Sequence, residues 1–318
     1  MPAATPAPET EAKIETLNKI IQGKEAAFPK EVVTGVWKKV FSTSIASQIS
    51  GSIPVSMRGT VTTIPVGQAT AGIVGEGELK PVVDMNTVIK EIKPIKAAAM
   101  IIYSKEAAMA DPLGEYSRIQ AELTAAIARA IDSAVIHGKN ALTGTAIAGQ
   151  ESLASASLEE VIDLKSTAAG YLTKSLASAH DKVTIQDDSD YNFTHFLLSP
   201  KMRNPLLTAQ DGFGRPLYQA SPNLNDTFST VFGIPAAYTK AVNGYEKIKE
   251  PLLLGFGGDF KENLRFGFVE GITFRKASEY THGVDLFARN MEAVLVEAIF
   301  GFAIRDPKAF VKLSAKPG

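Results

Sequence analysis

A glycine-rich tip carried on two β-rich arms is the feature that most limits what this chain can become. From Val55 the sequence runs SMRGTVTTIPV, then GQATAGIVGEGELKPVVD, then NTVIKEIKPIKAAAMIIYS: alternating, turn-rich, then strand-like again. Two arms of about 15 residues, at about 3.3 Å per residue, reach on the order of 50 Å. That exceeds the thickness of a small domain. Such a hairpin cannot be covered by its own body, and exposed strand edges invite pairing with another chain. In the tip, Gly75, Glu76, Gly77 and Glu78 precede Lys80, a single amine set against Pro81. None of these residues is a core former, so the spacing predicts a loop offered to something outside the subunit.

The other elements follow from periodicity. Residues 1–10 read as disordered, and EAKIETLNKIIQG as a short helix that docks or frays. In ADPLGEYSRIQAELTAAIARAIDSAVIHGK, Asp111 caps a long helix and Pro112 opens it. Tyr116, Ile119, Leu123, Ile127, Ile131 and Val135 form one stripe, and Gly138 stops it. The capping box SLEE (Ser157, Glu160) predicts a second helix carrying Val161, Leu164, Ala168 and Leu172. After the acidic stretch QDDSDYN, FTHFLLSP reads as a buried strand, KMRNPLLTAQDGFGRPLY as a short helix with a glycine turn, and VFGIPAAYTKAV as another strand. EPLLLGFGGDF and ENLRFGFVEGITFRKAS alternate like paired strands. A long apolar strand then runs to a turn at Asp306-Pro307 and a short closing element. The architecture is mixed α+β.

Composition removes several functions. Of 318 residues, 45% are hydrophobic and 21% charged, with a formal charge of −1 and no cysteine. A general coating of nucleic acid needs a basic excess, and thiolate metal sites need cysteine. No apolar run reaches membrane-spanning length, and the N-terminus lacks the basic and apolar regions of a signal peptide, which predicts a chain made in the cytoplasm. Walker, GxSxG and HExxH motifs are missing, and GFGGDF lacks the spacing of a dinucleotide loop. His137, His180, His195 and His282 stand at least 15 residues apart, without ligand spacing. Asp187, Asp188, Asp190 and Asn192 superficially resemble a calcium loop, but Phe193 occupies the glycine position. Trp37 and Phe41 read as packing residues. No cofactor or metal is expected.

The order of these elements resembles the major capsid proteins of tailed bacteriophages, the Hong Kong 97-type fold. The resemblance runs from about Val55 to Leu313. VGEGELKP is similar to the extended E-loop, and YSKEAAMADPLGEYSRIQAELTAAIARAIDSAVIHG to the spine of the P-domain. FLLSPKMRNPLLTAQDGFGRPLY, FGIPAAYTKAV and LLGFGGDF are similar to A-domain elements, and FARNMEAVLVEAIFGFAIRDPKAFVKL to the returning P-domain strand. The resemblance implies an N-terminal arm (1–54), an E-loop (55–100), a spine helix (101–140), an A-domain (141–262) and returning strands (263–318). It further implies hexamers and pentamers closing an icosahedral virion shell around double-stranded DNA that is contacted non-specifically. The other implied partners are a separate scaffolding protein, a portal and a decoration protein, with assembly in the host bacterial cytoplasm and no membrane. The segment Ala177–Asn192 reads as an insert lengthening the A-domain entrance. An encapsulin-like nanocompartment shell shares the fold, and a soluble α/β hydrolase or transferase is the enzymatic alternative.

Some members of that family weld their shells with isopeptide bonds between a loop lysine and an asparagine, a glutamate serving as base. By motif these are Lys80 in ELKP, Asn290 in FARN and Glu297 in VLVEA, the last set among Val296, Ala298 and Ile299. The simpler readings are a solvated Lys80, a turn residue at Asn290 and an ion pair from Glu297 to an arginine such as Arg289. A separation of seven residues places Asn290 and Glu297 on opposite faces of an uninterrupted strand. A bulge, or an Asn290 lying before the strand, removes that conflict.

Overall fold

The computed structural model describes residues 44–66, 72–77, 79–80, 82, 86–109, 115–166, 168, 170–185, 191–210, 213, 215, 228–245, 247–281 and 283–317. The expected N-terminal disorder and short helix, Trp37, Phe41, Glu78, the Asp111–Pro112 cap, Asp187–Asp190 and His282 lie outside them. In chain order come a helix Ile45–Ile49, β1 (Gly51–Ser52), β2 (Thr60–Val66), β3 (Asn86–Ile92) and β4 (Ile95–Ser104). The helices Lys105–Met109 and Glu115–His137 follow, then β5 (Leu158–Ile162), the helix Tyr171–Thr184 and β6 (His195–Leu198). After the helix Arg203–Thr208 come β7 (Phe228–Val231), β8 (Ile234–Tyr238), β9 (Leu253–Gly258) and the turn of helix Phe260–Asn263. The chain closes with β10 (Leu264–Ala277), β11 (Tyr280–Thr281), β12 (Val284–Asp285), β13 (Met291–Ile304) and β14 (Phe310–Ala315).

The described residues form two compact units, the larger comprising Thr43–Ala98, Ala125–Thr273 and Glu297–Gly318. Its centre is a six-stranded sheet in the order β5-β14-β9-β6-β8-β7. β14 runs parallel to β5 and antiparallel to β9, while β6 runs antiparallel to β9 and parallel to β8. Every residue of β9 is buried, which its LLGFGG sequence permits because Gly257 leaves room for Phe193. A Cβ there would lie 2.3 Å from the Phe193 ring. The helix Tyr171–Thr184 packs Leu176, Ala179 and Val183 into the same core as Phe196, Leu198, Leu254, Val311 and Leu313.

Within this unit the spine helix buries Ile127, Ile131, Val135 and Ile136 and ends at Gly138, whose φ of 63° suits glycine. Asp132 on that helix is buried, accepting hydrogen bonds from the Ser44 hydroxyl (2.6 Å) and the Ala46 amide (3.2 Å). Burial pushes its carboxyl up to about 6 against the pull of those donors. His137 is buried with Nε2 2.8 Å from the Ala241 carbonyl oxygen, and desolvation holds its pKa below the usual value.

The smaller unit includes Ala99–Thr124 and Phe274–Val296. β11 and β12 form a short antiparallel pair within it. Leu286 and Ala293 are buried together, with Met100, Ile102 and Met291 against them. β4, the spine helix, β10 and β13 contribute residues to each unit. A second sheet has the order β1-β10-β13-β4, and β2 pairs with β3 alone.

Several expectations are corrected. The capping-box segment is not a helix: Leu158–Ile162 pairs in parallel with Val311–Ala315. Sheet pairing overrides the local signal there, since Glu160 meets Lys182 at 2.7 Å and the hydroxyl of Ser178 at 3.1 Å. The helix begins instead at Tyr171, after Gly170 with φ 68°, so Ala177 lies inside it and not at the start of an insert. VFGIPAAYTKAV holds the last residue of β7, a turn at Phe232-Gly233, then β8 and a 3-10 turn from Lys240, so the expected strand covers only Ile234–Tyr238. β9 and β10 do not pair; they belong to different sheets. The long second arm of the extended hairpin is broken at Lys93-Pro94 into β3 and β4, because proline has no N–H to continue a ladder.

Candidate functional site

Among the described residues the hairpin is held firmly at its root. Among the same residues, seven pairs from Thr60↔Ile92 to Val66↔Asn86 form its ladder; at about 3.3 Å per residue this paired part spans roughly 23 Å. Ile92 is fully buried with Val55 and Ala303. The Lys90 ammonium donates to Glu151 Oε2 at 2.5 Å and to the Ile304 carbonyl at 2.9 Å. Arg305 Nη2 donates to the Thr63 carbonyl at 3.1 Å. One cation on the hairpin and one on the chain after β13 therefore tie the two together.

Beyond the ladder the character changes. Gly75, Glu76, Gly77 and Lys80 are all exposed, and Gly77 has φ 86°, where a side chain would be strained. Beside these polar residues, Ile73, Leu79 and Val82 are 106%, 96% and 93% exposed. These three aliphatic side chains on one loop are each almost fully open, and burial elsewhere would reward each by roughly 1.5–3 kcal/mol.

Asn290 lies in the turn immediately before β13, with φ 54°. Asparagine is among the few side-chain-bearing residues that adopt this region readily. Its backbone is fixed on both sides: Asn290 N–H donates to the Phe287 carbonyl at 3.3 Å, and its carbonyl accepts from Lys105 N–H at 3.0 Å. Its side-chain Nδ2 donates to Glu106 Oε1 at 3.0 Å. Next to it, the Tyr103 hydroxyl donates to Glu292 Oε2 at 2.8 Å, and the Lys105 ammonium lies 3.8 Å from the other oxygen of Glu292.

Glu297 is inside β13, where Val296, Ala298 and Phe300 are buried and Leu295, Glu297 and Ile299 are only partly so. Its side chain is 13% exposed and is ion-paired with Lys96 of β4. The cation on Glu297 is thus Lys96, not Arg289. Since Asn290 precedes the strand, the face conflict posed by their seven-residue separation does not arise. The structure gives Lys80, Asn290 and Glu297 each its own surroundings within one chain. Lys96 and Glu106, which touch two of them, carry no motif; only the pairing of β4 beside β13 and the turn against the Lys105–Met109 helix bring them in.

Against known proteins, the sequence pattern of the phage capsid family matches residues 26–315. A protein of Mycobacterium phage L5 named "Probable major capsid protein gp17" is 28% identical over 281 residues, covering 85% of this chain and 84% of its own. A solved chain from Gordonia phage Cozz is 29% identical with a TM-score of 0.77 over 94% of each chain. One from Mycobacterium phage Ogopogo is 21% identical with a TM-score of 0.74, covering 91% of this chain and 97% of that one, and shares the fold.

Proposed function

Because the chain belongs to the phage capsid family, we propose that its exposed loop is completed by a neighbouring copy of the same chain. The protein is a major capsid protein, a structural component of the virion shell of a tailed phage. The observation that carries the loop reading is the trio Ile73, Leu79 and Val82, fully open at the end of a hairpin whose root is buried and ion-paired.

In detail, the fold is of the Hong Kong 97 type, with arm 1–54, E-loop 55–100, spine 101–140, A-domain 141–262 and returning strands 263–318. Copies associate as hexamers and pentamers of an icosahedral shell around double-stranded DNA, contacted through backbone electrostatics. A separate scaffolding protein, a portal and a decoration protein assist, and assembly takes place in the host cytoplasm. Among the described residues no helix is long and apolar enough to cross a membrane.

Lys80 of one subunit forms an isopeptide bond with Asn290 of another, with Glu297 as base. An ordinary lysine amine, with a pKa of about 10.4, is protonated and must shed a proton before it attacks. The amine then adds to Asn290 Cγ, the new C–N bond forms and the side-chain nitrogen leaves as ammonia. The left-handed turn that presents Asn290 ahead of β13 supports this reading. Shells purified after co-expression with the neighbouring phage genes and boiled in detergent test it. The expected result is a ladder of covalent oligomers that vanishes in Lys80→Arg and Asn290→Asp; a single monomer band from wild-type shells removes the cross-link.

A further inference from the structure

We propose that Glu106 is a second catalytic carboxylate of this cross-link, acting on the nitrogen that leaves. The inference rests on the cross-link reading above. Converting a lysine ammonium into a secondary amide removes two protons from the attacking nitrogen. The departing amide nitrogen must gain at least one before it can leave. Glu297, the base already assigned, accounts for the first proton, the one that frees the amine. The second comes off after the amine has added to Cγ, and it has to reach Asn290 Nδ2.

Glu106 is the carboxylate placed there, with Oε1 3.0 Å from Nδ2. The hydrogen bond identifies which amide atom faces it: a carboxylate accepts, so the nitrogen and not the oxygen of Asn290 points to Glu106. Glu106 lies in the first turn of the helix Lys105–Met109, and the amide of Lys105, which opens that helix, also holds the Asn290 carbonyl. The backbone contact holds the turn, and the side-chain hydrogen bond sets the leaving nitrogen against one oxygen of Glu106 before any lysine arrives. In the proposed step Glu106 takes the proton from the attacking nitrogen of the tetrahedral adduct and passes it to Nδ2. The Cγ–Nδ2 bond breaks and ammonia departs, and Glu106 ends as the carboxylate it began as. The proton held by Glu297 passes to the ammonia, so the balance is lysine ammonium plus carboxamide giving secondary amide plus ammonium.

The test is the time course of covalent ladder formation in shells of full-length protein, for wild type, Glu106→Gln and Glu106→Ala. Electron microscopy serves as the control that shells form. Glutamine still accepts from Nδ2 but cannot carry a proton, so the expected result is that both variants assemble and both slow cross-linking by about a hundredfold or more. If Glu106→Gln links at the wild-type rate while Glu106→Ala is slow, Glu106 only positions Asn290 and the proposal is overturned; wild-type rates in both overturn it too. A wild-type shell with no ladder at all fails the cross-link reading itself, and this inference with it.

Discussion

The six-stranded sheet and the tip of the hairpin are opposite solutions to the same hydrophobic problem. In the sheet, β9 is buried from end to end, and its glycines are matched to Phe193 and to neighbouring backbone. In the tip, the side chains of Ile73, Leu79 and Val82 stand almost fully exposed. The difference separates a region finished by folding from one that, on the reading proposed above, is finished by association. Glycine marks the contrast as well. Gly257 is required because a ring occupies its Cβ position, whereas Gly77 has open space around it and needs glycine only for its φ of 86°.

The sharpest way to break this comparison is from the sheet side. Phe196→Ala removes a fully buried ring that packs 4.6 Å from Phe193, and should cost about 3–5 kcal/mol, measured by chemical denaturation of unassembled subunits. A loss below about 1 kcal/mol would mean that the sheet is not self-sufficient.

Next in size is a pH effect in the larger unit. Asp132 binds its proton more tightly folded, with a pKa of about 6, than its ordinary 3.8. Its contribution is therefore fully present below about pH 4 and is lost as the pH rises through about 6. Shifts of this size correspond to about 3 kcal/mol of unfolding free energy. Denaturation midpoints of wild type should fall over that window, and those of Asp132→Asn should be flatter.

The hairpin root comes third. Arg305→Ala removes the bond to the Thr63 carbonyl and should raise amide exchange in β2 and β3, with a stability cost of about 1 kcal/mol. Smallest of all, replacing Ile73, Leu79 and Val82 by serine should change subunit stability by less than about 0.5 kcal/mol while abolishing shell formation. A matching loss of stability would mean that the tip packs on its own chain.

Sequence alone revealed the spine helix, the strands His195–Leu198 and Met291–Ile304, and the exposed loop, because each has a strong period or unmistakable turn residues. It failed where pairing partners are distant. Leu158–Ile162 carries a helix-start signature, yet it pairs with Val311–Ala315, some 150 residues away. The broken arm is legible in Pro94, although the strand-like residues on either side of it continue the pattern. The candidate site divides the same way. Lys80, Asn290 and Glu297 were visible as residue types in a familiar order. Lys96 and Glu106 were not, because strand neighbours and a turn against a helix, not spacing, bring them to Glu297 and Asn290.

Hydrogen–deuterium exchange of residues 72–82, compared between free subunits and purified shells, tests the central claim most directly. If association finishes the tip, those amides exchange at unprotected rates in the subunit and become strongly protected in the shell, while β9 is protected in both. A tip that exchanges equally fast in subunit and shell would contradict the account.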